Sequence, residues 1–378
     1  MTVWDALVGQ SPVIETLQRA VSGADHAMTH AWLFTGPAGS GRSVAARAFA
    51  AGLQCDHGGC GQCQSCQAVL AGNHPDVAVV ATERLSLGVD EIKALVRDSV
   101  MAPAVGRWQI IIIEDADRLT DKGGDALLKA IEEPAPRTVW MLAAPTSADV
   151  LATIRSRVRQ VALTTPSRQA IAKLLTAEGI DADQAQMAAR ICQGHIGRAR
   201  AWARDPAVAE RRRQALSLPD QLTDLGACLA QAEQVWTTAK QRADEITKSL
   251  DQAEIKEMAT AYGLVTARGS VRGAKGQLKD LEREQSLRAT RMQRDRIDDV
   301  LIELTGYYRD VLMVQLGTDH DLINPDVLSS VERLAKASSA DQTVMRIDAI
   351  ANCRRSLWAN VAPQLALEAM MVALADLG

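Results

Sequence analysis

The segment Gly36–Ser43 reads Gly-Pro-Ala-Gly-Ser-Gly-Arg-Ser and holds the residue types that bind phosphate through the backbone. It follows the short apolar run Trp32–Phe34 and precedes a predicted helix, which is the strand–loop–helix context of a phosphate-binding loop. Glycines let the chain wrap a phosphate closely, while loop amides and the helix N-terminus supply positive potential. The candidate phosphate-binding residues are Gly36, Gly39, Ser40, Gly41, Arg42 and Ser43.

Three positions depart from what nucleotide hydrolysis needs. Arg42 stands where a lysine would reach the terminal phosphates, and a forked guanidinium is a poor substitute for a compact ammonium. After the apolar run Ile110–Ile113 the acids come in the order Glu114 then Asp115, which displaces each carboxylate by about one methylene from magnesium and the attacking water. Ala144-Pro145 lacks a polar side chain to sense the γ-phosphate. Two alternatives stay open: a loop without nucleotide, and one that binds ATP or ADP weakly.

Four cysteines lie within twelve residues, at Cys55, Cys60, Cys63 and Cys66. Nested C-x2-C turns aim sulfurs at one tetrahedral ion, so we interpret the cluster as a structural zinc site with no open coordination position. An iron–sulfur cluster is the alternative, although nothing else in the sequence indicates electron transfer.

Composition limits the classes of protein that fit. The chain has 378 residues, a formal net charge of −4, 47% hydrophobic residues and 3% aromatic residues. This length predicts two or three domains, and the slight acidity argues against a free-standing nucleic-acid binder. No apolar run is long enough to span a membrane, and the N-terminus does not resemble a signal peptide. We therefore expect a cytoplasmic protein with no membrane partner.

Hydrophobic patterning divides the chain into three predicted domains. Residues 1–164 alternate helices with short apolar runs typical of a parallel sheet covered on both faces, so this part is predicted to be an α/β layer structure. The buried strands are expected at Trp32–Phe34, Val77–Val80, Ile110–Ile113 and Val139–Leu142. Residues 165–206 are predicted to form a small helical domain, and 207–378 a larger all-helical one.

A helical hairpin is predicted at about 229–296. Apolar residues recur there at alternating spacings of three and four, which predicts a coiled-coil seam in the first arm. The seam residues are Leu229, Ala232, Trp236, Ala239, Ala243, Ile246, Leu250 and Ala253. A glycine-rich turn is expected at Gly263–Gly276. The second arm carries nine Lys and Arg against four Asp and Glu over 265–296. Packing into a bundle core is the alternative for both arms. The basic arm is either a contact for nucleic acid or an acidic partner, or a solvated face.

Several motifs together resemble the delta-prime family of bacterial DNA polymerase III clamp-loader subunits. They are the phosphate loop, the four-cysteine module after the first helix, and the segments His30–Pro37, Ala126–Pro134, Ile154–Arg157 and Asn360–Ala369. The resemblance runs almost continuously from Thr2 to about Arg204. It implies an AAA+ core, a helical lid and a collar domain within a five-subunit ring with gamma/tau and delta. That ring loads a sliding clamp onto primer-template DNA with ATP bound by its gamma/tau members.

The resemblance also implies a role for Arg157, preceded by Ser156. In the family, the arginine of a Ser-Arg-Cys motif is donated to the ATP of a neighbouring subunit, where it stabilises charge on the transferred phosphate. Here Val158 replaces the motif's cysteine. The alternative is that Arg155, Arg157 and Arg159 form a solvated basic edge.

Three functions are weighed on this sequence. The first is a non-hydrolysing clamp-loader subunit that supplies a trans arginine. The second is an ATP-hydrolysing AAA+ subunit of gamma/tau type, in which Arg42 does the work of the lysine. The third, a zinc-bearing nucleic-acid protein with a vestigial loop, is disfavoured because single-strand binders use stacking aromatic rings.

Overall fold

A computed structural model describes residues 2–80, 86–261, 272–318, 321–359 and 361–375. By its internal contacts the chain divides into two compact units, one that ends at Arg204 and one that continues from Asp205. No helix among these described residues is long and apolar enough to cross a membrane.

The first unit is built on a five-stranded parallel sheet. The strands are β1 (Ala31–Thr35), β2 (Val77–Val80), β3 (Gln109–Ile113), β4 (Thr138–Ala144) and β5 (Arg159–Ala162). Their order across the sheet is β2-β3-β4-β1-β5. The four predicted strands are confirmed. The fifth was missed because β5 is an edge strand with Val161 as its only buried residue.

Helices cover both faces of this sheet, as expected of parallel strands. They are α1 (Ser11–Ser22), α2 (Arg42–Gln54), α3 (Gln64–Leu70), α4 (Val89–Ser99), α5 (Asp121–Glu132) and α6 (Ala152–Arg155). Trp32 and Phe34 of β1 pack in one apolar cluster with Phe49 of α2, whereas Leu33 packs on the opposite face with Leu127 of α5. The expected α/β layer structure is therefore present.

Three further helices complete the first unit: α7 (Arg168–Ala177), α8 (Ala182–Ile191) and α9 (Ile196–Arg204). They enclose an apolar cluster of their own around Ile171, Leu175 and Ala188. The division of this region from the sheet as a separate lid domain stays a prediction.

The second unit is all-helical. It contains α10 (Pro206–Ser217), α11 (Leu225–Ala261), α12 (Arg272–Gln315), α13 (Leu328–Ala337), α14 (Ala340–Trp358) and α15 (Pro363–Ala375). Its core includes the fully buried Ile297, Leu301 and Tyr307 of α12. The predicted hairpin boundary at residue 296 is not a helix end, because α12 runs through it into the core. Residues 262–271, which include most of the predicted turn Gly263–Gly276, lie outside the described residues. The turn prediction is wrong for residues 272–276, because α12 already begins at Arg272.

The coiled-coil seam is confirmed only in the middle of the predicted stretch of α11. Ala232, Ala239 and Ala243 are buried, but Ile246 and Leu250 are each 46% exposed. Leu229 is 42% exposed, and Ala253 is exposed as well. The seam prediction is wrong for these four residues. Beyond Ala243, polar groups join α11 to α12.

The polar contacts in the outer hairpin centre on Arg288 of α12. Its guanidinium lies 2.6 Å from Asp251 and 2.5 Å from Glu254, both on α11. This contact with Arg288 lowers the pKa of Glu254. Arg294 is also buried, so at least two cations of the basic arm point into the hairpin. A role of the arm in binding nucleic acid or an acidic partner stays a prediction.

Candidate phosphate loop, cysteine cluster and arginine turn

The loop between β1 and α2 has the backbone shape of a phosphate-binding loop. Gly39 and Gly41 adopt φ values of +80° and +94°, which side-chain-bearing residues rarely adopt. The amide of Gly36 donates to the carbonyl of Pro145, which anchors the start of the loop beyond the end of β4. The helix that begins at Arg42 then directs its N-terminus toward the loop.

Groups of the chain itself occupy much of this loop. Nη1 of Arg42 donates to the carbonyl oxygen of Gly36 at 2.8 Å, so the cation binds the loop that it follows. On the other side, a Cβ placed on Gly39 would lie only 2.5 Å from the Cα of His195. The backbone just before α9 therefore packs directly on the loop. Ser40 is the exception, since its buried hydroxyl has no hydrogen-bond partner among the described residues.

The acidic positions after β3 are also engaged. Glu114, which follows the strand directly, forms a salt bridge with Arg47 of α2 at 3.0 Å. Burial lowers the pKa of Arg42, and the carboxylates of Asp117, Asp115 and Asp149 oppose that shift. Arg42 is thus surrounded by acids of its own chain, which reduces the positive potential that a bound phosphate would meet.

The four cysteines form a compact cluster directly after α2. Their sulfurs all lie within 4.8 Å of one another. The Sγ atom of Cys55 is 3.7 Å from those of both Cys60 and Cys63. Four thiolates at a Zn–S distance of about 2.3 Å have sulfurs about 3.8 Å apart, so this donor set fits a tetrahedral metal ion.

Backbone amides point at these sulfurs. The amides of His57 and Cys60 donate to Cys55 Sγ at 3.3 and 3.4 Å, and the amides of Cys63 and Cys66 donate to the sulfur three residues before each. Burial alone would raise the pKa of Cys55, but the amide hydrogen bonds lower it to about 6. At Cys55 the amides therefore stabilise the thiolate, the form that binds metal, whereas burial raises the pKa of the Cys66 thiol.

The N-terminal segment supports the cysteine cluster. The indole Nε1 of Trp4 donates to the carbonyl of Gly58 at 3.0 Å, and the amide of Val3 donates to that of Gly59 at 3.1 Å. Both side chains are buried in the apolar cluster beneath α2. The cysteine cluster is therefore packed against the core of the first unit.

Arg157 lies in the turn between α6 and β5 and points outward. Its side chain is 41% exposed, and its Nε lies 2.6 Å from Oε1 of Glu132. Arg155 instead donates to the carbonyl of Ser147, while Arg159 donates to that of Ala27 and stacks on an indole ring. The three arginines therefore do not form a uniform solvated edge.

The structure brings together residues that sequence reasoning missed. His195 against Gly39, Arg47 with Glu114, and Glu132 with Arg157 are all long-range contacts. Arg47 lies one and a half turns beyond Arg42 on α2, a position where no motif signals a role. Glu132 lies in the Ala126–Pro134 segment, which carries the family resemblance but indicates no role for this residue.

Two family models match the chain. One, described as DNA polymerase III, delta subunit, matches residues 9–167, and the other, described as its C-terminal part, matches residues 283–376. Together they match about two thirds of the chain.

Curated relatives agree with these models. A delta-prime subunit of DNA polymerase III from Pseudomonas aeruginosa is 37% identical over 39% of this chain and 46% of its own length. The delta-prime subunit of Bacillus subtilis is 24% identical over 92% of both chains. A tau/gamma subunit from Haemophilus influenzae is 32% identical over 58% of this chain and 31% of its own length. The chain thus spans less than half the length of the first and third of these relatives.

Among the solved structures that match the chain is a gamma-subunit-related protein from Thermotoga maritima. It is 16% identical, with a TM-score of 0.39, and the match covers 96% of this chain and 98% of that one. The clamp-loader delta protein of Bacillus subtilis is 10% identical with a TM-score of 0.31, over 96% and 99% of the two chains. The family matches, together with the parallel sheet and the all-helical second unit, confirm the predicted AAA+ type of fold, and the chain belongs to the family of bacterial DNA polymerase III clamp-loader subunits that includes delta-prime and gamma/tau.

Proposed function

We propose that this chain acts as the non-hydrolysing, delta-prime-type subunit of a clamp loader and supplies Arg157 to the ATP site of a neighbouring subunit. The observation that carries the proposal is the exposed position of Arg157, whose side chain is 41% exposed and whose Nη2 has no contact among the described residues. Arg155 and Arg159 instead reach back to the carbonyls of Ser147 and Ala27. A guanidinium on an exposed turn can reach a phosphate held by another subunit, as arginine fingers do in related phosphoryl-transfer enzymes.

The state of the chain's own phosphate loop supports the non-hydrolysing role. Arg42 binds Gly36, His195 packs on Gly39, and Glu114 is paired with Arg47. Hydrolysis needs a cation free to reach the terminal phosphates and a carboxylate free to bind magnesium. Each of these groups would have to leave an existing partner before ATP could be bound and cleaved here.

The partners proposed for this subunit are gamma/tau and delta subunits in a pentameric ring, with the sliding clamp and primer-template DNA reached through the assembled complex. These partners follow from family membership and from the relatives named delta-prime and tau/gamma. We place the protein in the cytoplasm on the same basis.

We further propose that the cysteine cluster holds one structural zinc ion. Cys55, Cys60, Cys63 and Cys66 would supply all four ligands, which leaves no position for a substrate. Elemental analysis of the purified chain is expected to give one zinc per chain. Iron, together with visible absorption of a sulfur-ligated cluster, would contradict this assignment.

The trans-arginine role is tested in a complex reconstituted with gamma/tau and delta subunits. Arg157→Ala is expected to slow hydrolysis at the neighbouring ATP site by roughly 10³-fold or more, because the developing charge on the phosphate loses its counter-charge. Single-turnover phosphate release in the presence of clamp and primed DNA measures this. Arg155→Ala is the matched control and should retain wild-type turnover.

The alternative is an ATP-hydrolysing subunit of gamma/tau type. It is favoured by the intact glycine spacing and by the unsatisfied Ser40 hydroxyl in the loop. Robust ATP turnover by the isolated chain would establish this alternative. A silent chain whose Arg157→Ala variant impairs the complex would support the trans-arginine role.

A further inference from the structure

Glu132 forms an ion pair with Arg157, the proposed trans arginine, and the proposed function assigns this pair no role. Glu132 is the last residue of α5 and Arg157 follows α6, so two elements bring the side chains together. The inference drawn from this pair rests on the proposed function of Arg157.

Two of the three nitrogens of the Arg157 guanidinium are engaged. Nε lies 2.6 Å from Oε1 of Glu132, and Nη1 donates to the carbonyl of Thr153 at 2.9 Å and to Oγ of Ser156 at 3.0 Å. No contact to Nη2 is present among the residues that the structure describes. Nη2 therefore stays available to an external anion while Nε and Nη1 are held.

The backbone that carries both residues is firmly packed. Ile131 and Ile154, which neighbour the two ends of the contact, are fully buried in the same apolar cluster. Nε2 of His30 lies 2.7 Å from the carbonyl oxygen of Ile131, which ties the end of α5 to the start of β1. The backbone at Glu132 is thus firmly placed relative to the turn that carries Arg157.

The ion pair is a poor device for stabilising the fold. Its partners are 41% and 46% exposed, and ion pairs at such positions contribute little to the free energy of unfolding because water and salt screen them. The pair can instead orient the side chain, since an arginine has several rotatable bonds and ordering it during catalysis lowers the rate.

We propose that Glu132 is a positioning residue for the trans arginine. Its carboxylate holds Nε of Arg157, while Thr153 and Ser156 hold Nη1, so that the side chain is ordered and Nη2 is left for the phosphate before the neighbouring ATP site forms around it. The cost of ordering the side chain is then met within this subunit.

The test measures ATP turnover by the complex with clamp and primed DNA, using variants of the full chain. Glu132→Ala is expected to lower kcat at the neighbouring site about three- to tenfold with KM for ATP unchanged, which is the loss expected from freeing one ordered side chain. Glu132→Gln should retain at least half of the wild-type rate, because its carboxamide oxygen can occupy the position of Oε1 beside Nε. Glu133→Ala is the matched control, since Glu133 is an equally exposed neighbour with no ion pair to Arg157.

A double-mutant cycle separates this inference from the proposed function. In an Arg157→Ala background, Glu132→Ala should have no further effect on kcat. If Arg157→Ala slows the complex but Glu132→Ala leaves kcat unchanged or raises it, Glu132 is not a positioning residue while the trans arginine stands. An equal loss with and without Arg157 also overturns the inference. If Arg157→Ala itself has no effect, the proposed function and the inference both fail. Thermal melting and size-exclusion chromatography confirm that each variant folds and assembles.

Discussion

The two ends of α2 carry two candidate ligand sites that differ in what the chain itself has placed there. At the N-terminal end, Arg42 binds the loop carbonyl of Gly36 and the backbone at His195 packs on Gly39. At the C-terminal end, four sulfurs converge with amides pointing at them. The chain's own groups fill much of the loop, whereas the four sulfurs converge on a common centre that one metal ion could occupy.

The largest effect is expected from a substitution in the cysteine cluster at the C-terminal end of α2. Cys66→Ser removes a fully buried ligand, so bound zinc should fall from one equivalent toward none, and the Tm should fall by about 10 °C, since metal binding contributes directly to folding. Cys192→Ser, at a buried cysteine outside the cluster, should keep the metal. Elemental analysis measures the bound zinc, and calorimetry measures the Tm. A wild-type protein whose Tm stays unchanged when its metal is removed would contradict the expected contribution of the metal to folding.

The next effect separates packing from ligand binding at the N-terminal end. Gly39→Ala should lower the free energy of unfolding by about 3 kcal/mol, because a Cβ would meet the backbone of His195 as well as adopt an unfavourable φ. Gly41→Ala has a similar φ but open space, with Val44 4.0 Å away, and should cost about 1 kcal/mol. Urea unfolding distinguishes the two, and equal losses would show that the contact with His195 does not matter.

A smaller, pH-dependent effect concerns the loop beside the C-terminal end of α2. Asp76 accepts hydrogen bonds from the amides of Ala104, Val105 and Gly106. Burial would raise the pKa of Asp76, but these amides hold it below its ordinary value. A carboxyl whose folded pKa is lowered stabilises the fold above its unfolded pKa of about 3.9 and loses that contribution as the pH falls through the folded value.

Asp76→Asn should therefore cost about 2 kcal/mol at pH 7, and the difference from wild type should narrow below pH 4. Urea unfolding at pH 7, 5 and 3.5 follows this difference. A gap that stays constant across this range would mean that the carboxylate charge is not what holds the loop.

The smallest effect is expected at the phosphate loop, where substitutions toward an active hydrolase should produce no gain in ATP turnover. Restoring the residues of an active hydrolase with Arg42→Lys, Glu114→Asp and Asp115→Glu together should leave ATP turnover by the isolated chain at background. Arg47 still faces the acid after β3, and His195 still packs on Gly39. Turnover by this triple variant would show that the three substitutions alone silence the loop.

Sequence reasoning worked where the signal was local. Buried strands were predictable from uninterrupted apolar runs, and the C-x2-C spacing predicted that the four sulfurs lie together. Short-range geometry determines both the strands and the cysteine cluster. β5 escaped because an edge strand with one buried residue carries no such run. Glu132 and Arg47 escaped because their partners are 25 and 67 residues away in sequence, and tertiary packing alone determines such pairs.

The outer half of the coiled-coil prediction failed for a different reason. Heptad spacing identifies an apolar stripe but not which side of the helix receives the partner. Ile246 and Leu250 have the expected spacing but are exposed, and at this level Arg288 of α12 pairs instead with Asp251 and Glu254 of α11. Charge overrode the apolar pattern at this level of the hairpin.

This construction gives the hairpin a graded mechanical character. Near the core, separating α11 from α12 would expose buried apolar surface, but further out it would mainly hydrate Arg288, Asp251 and Glu254. We therefore expect the arm to loosen from its outer end, more readily as rising salt screens the charges. Ile246 and Leu250 are already exposed while the two helices are paired. Loosening would therefore extend the reach of the arm without adding much exposed apolar surface.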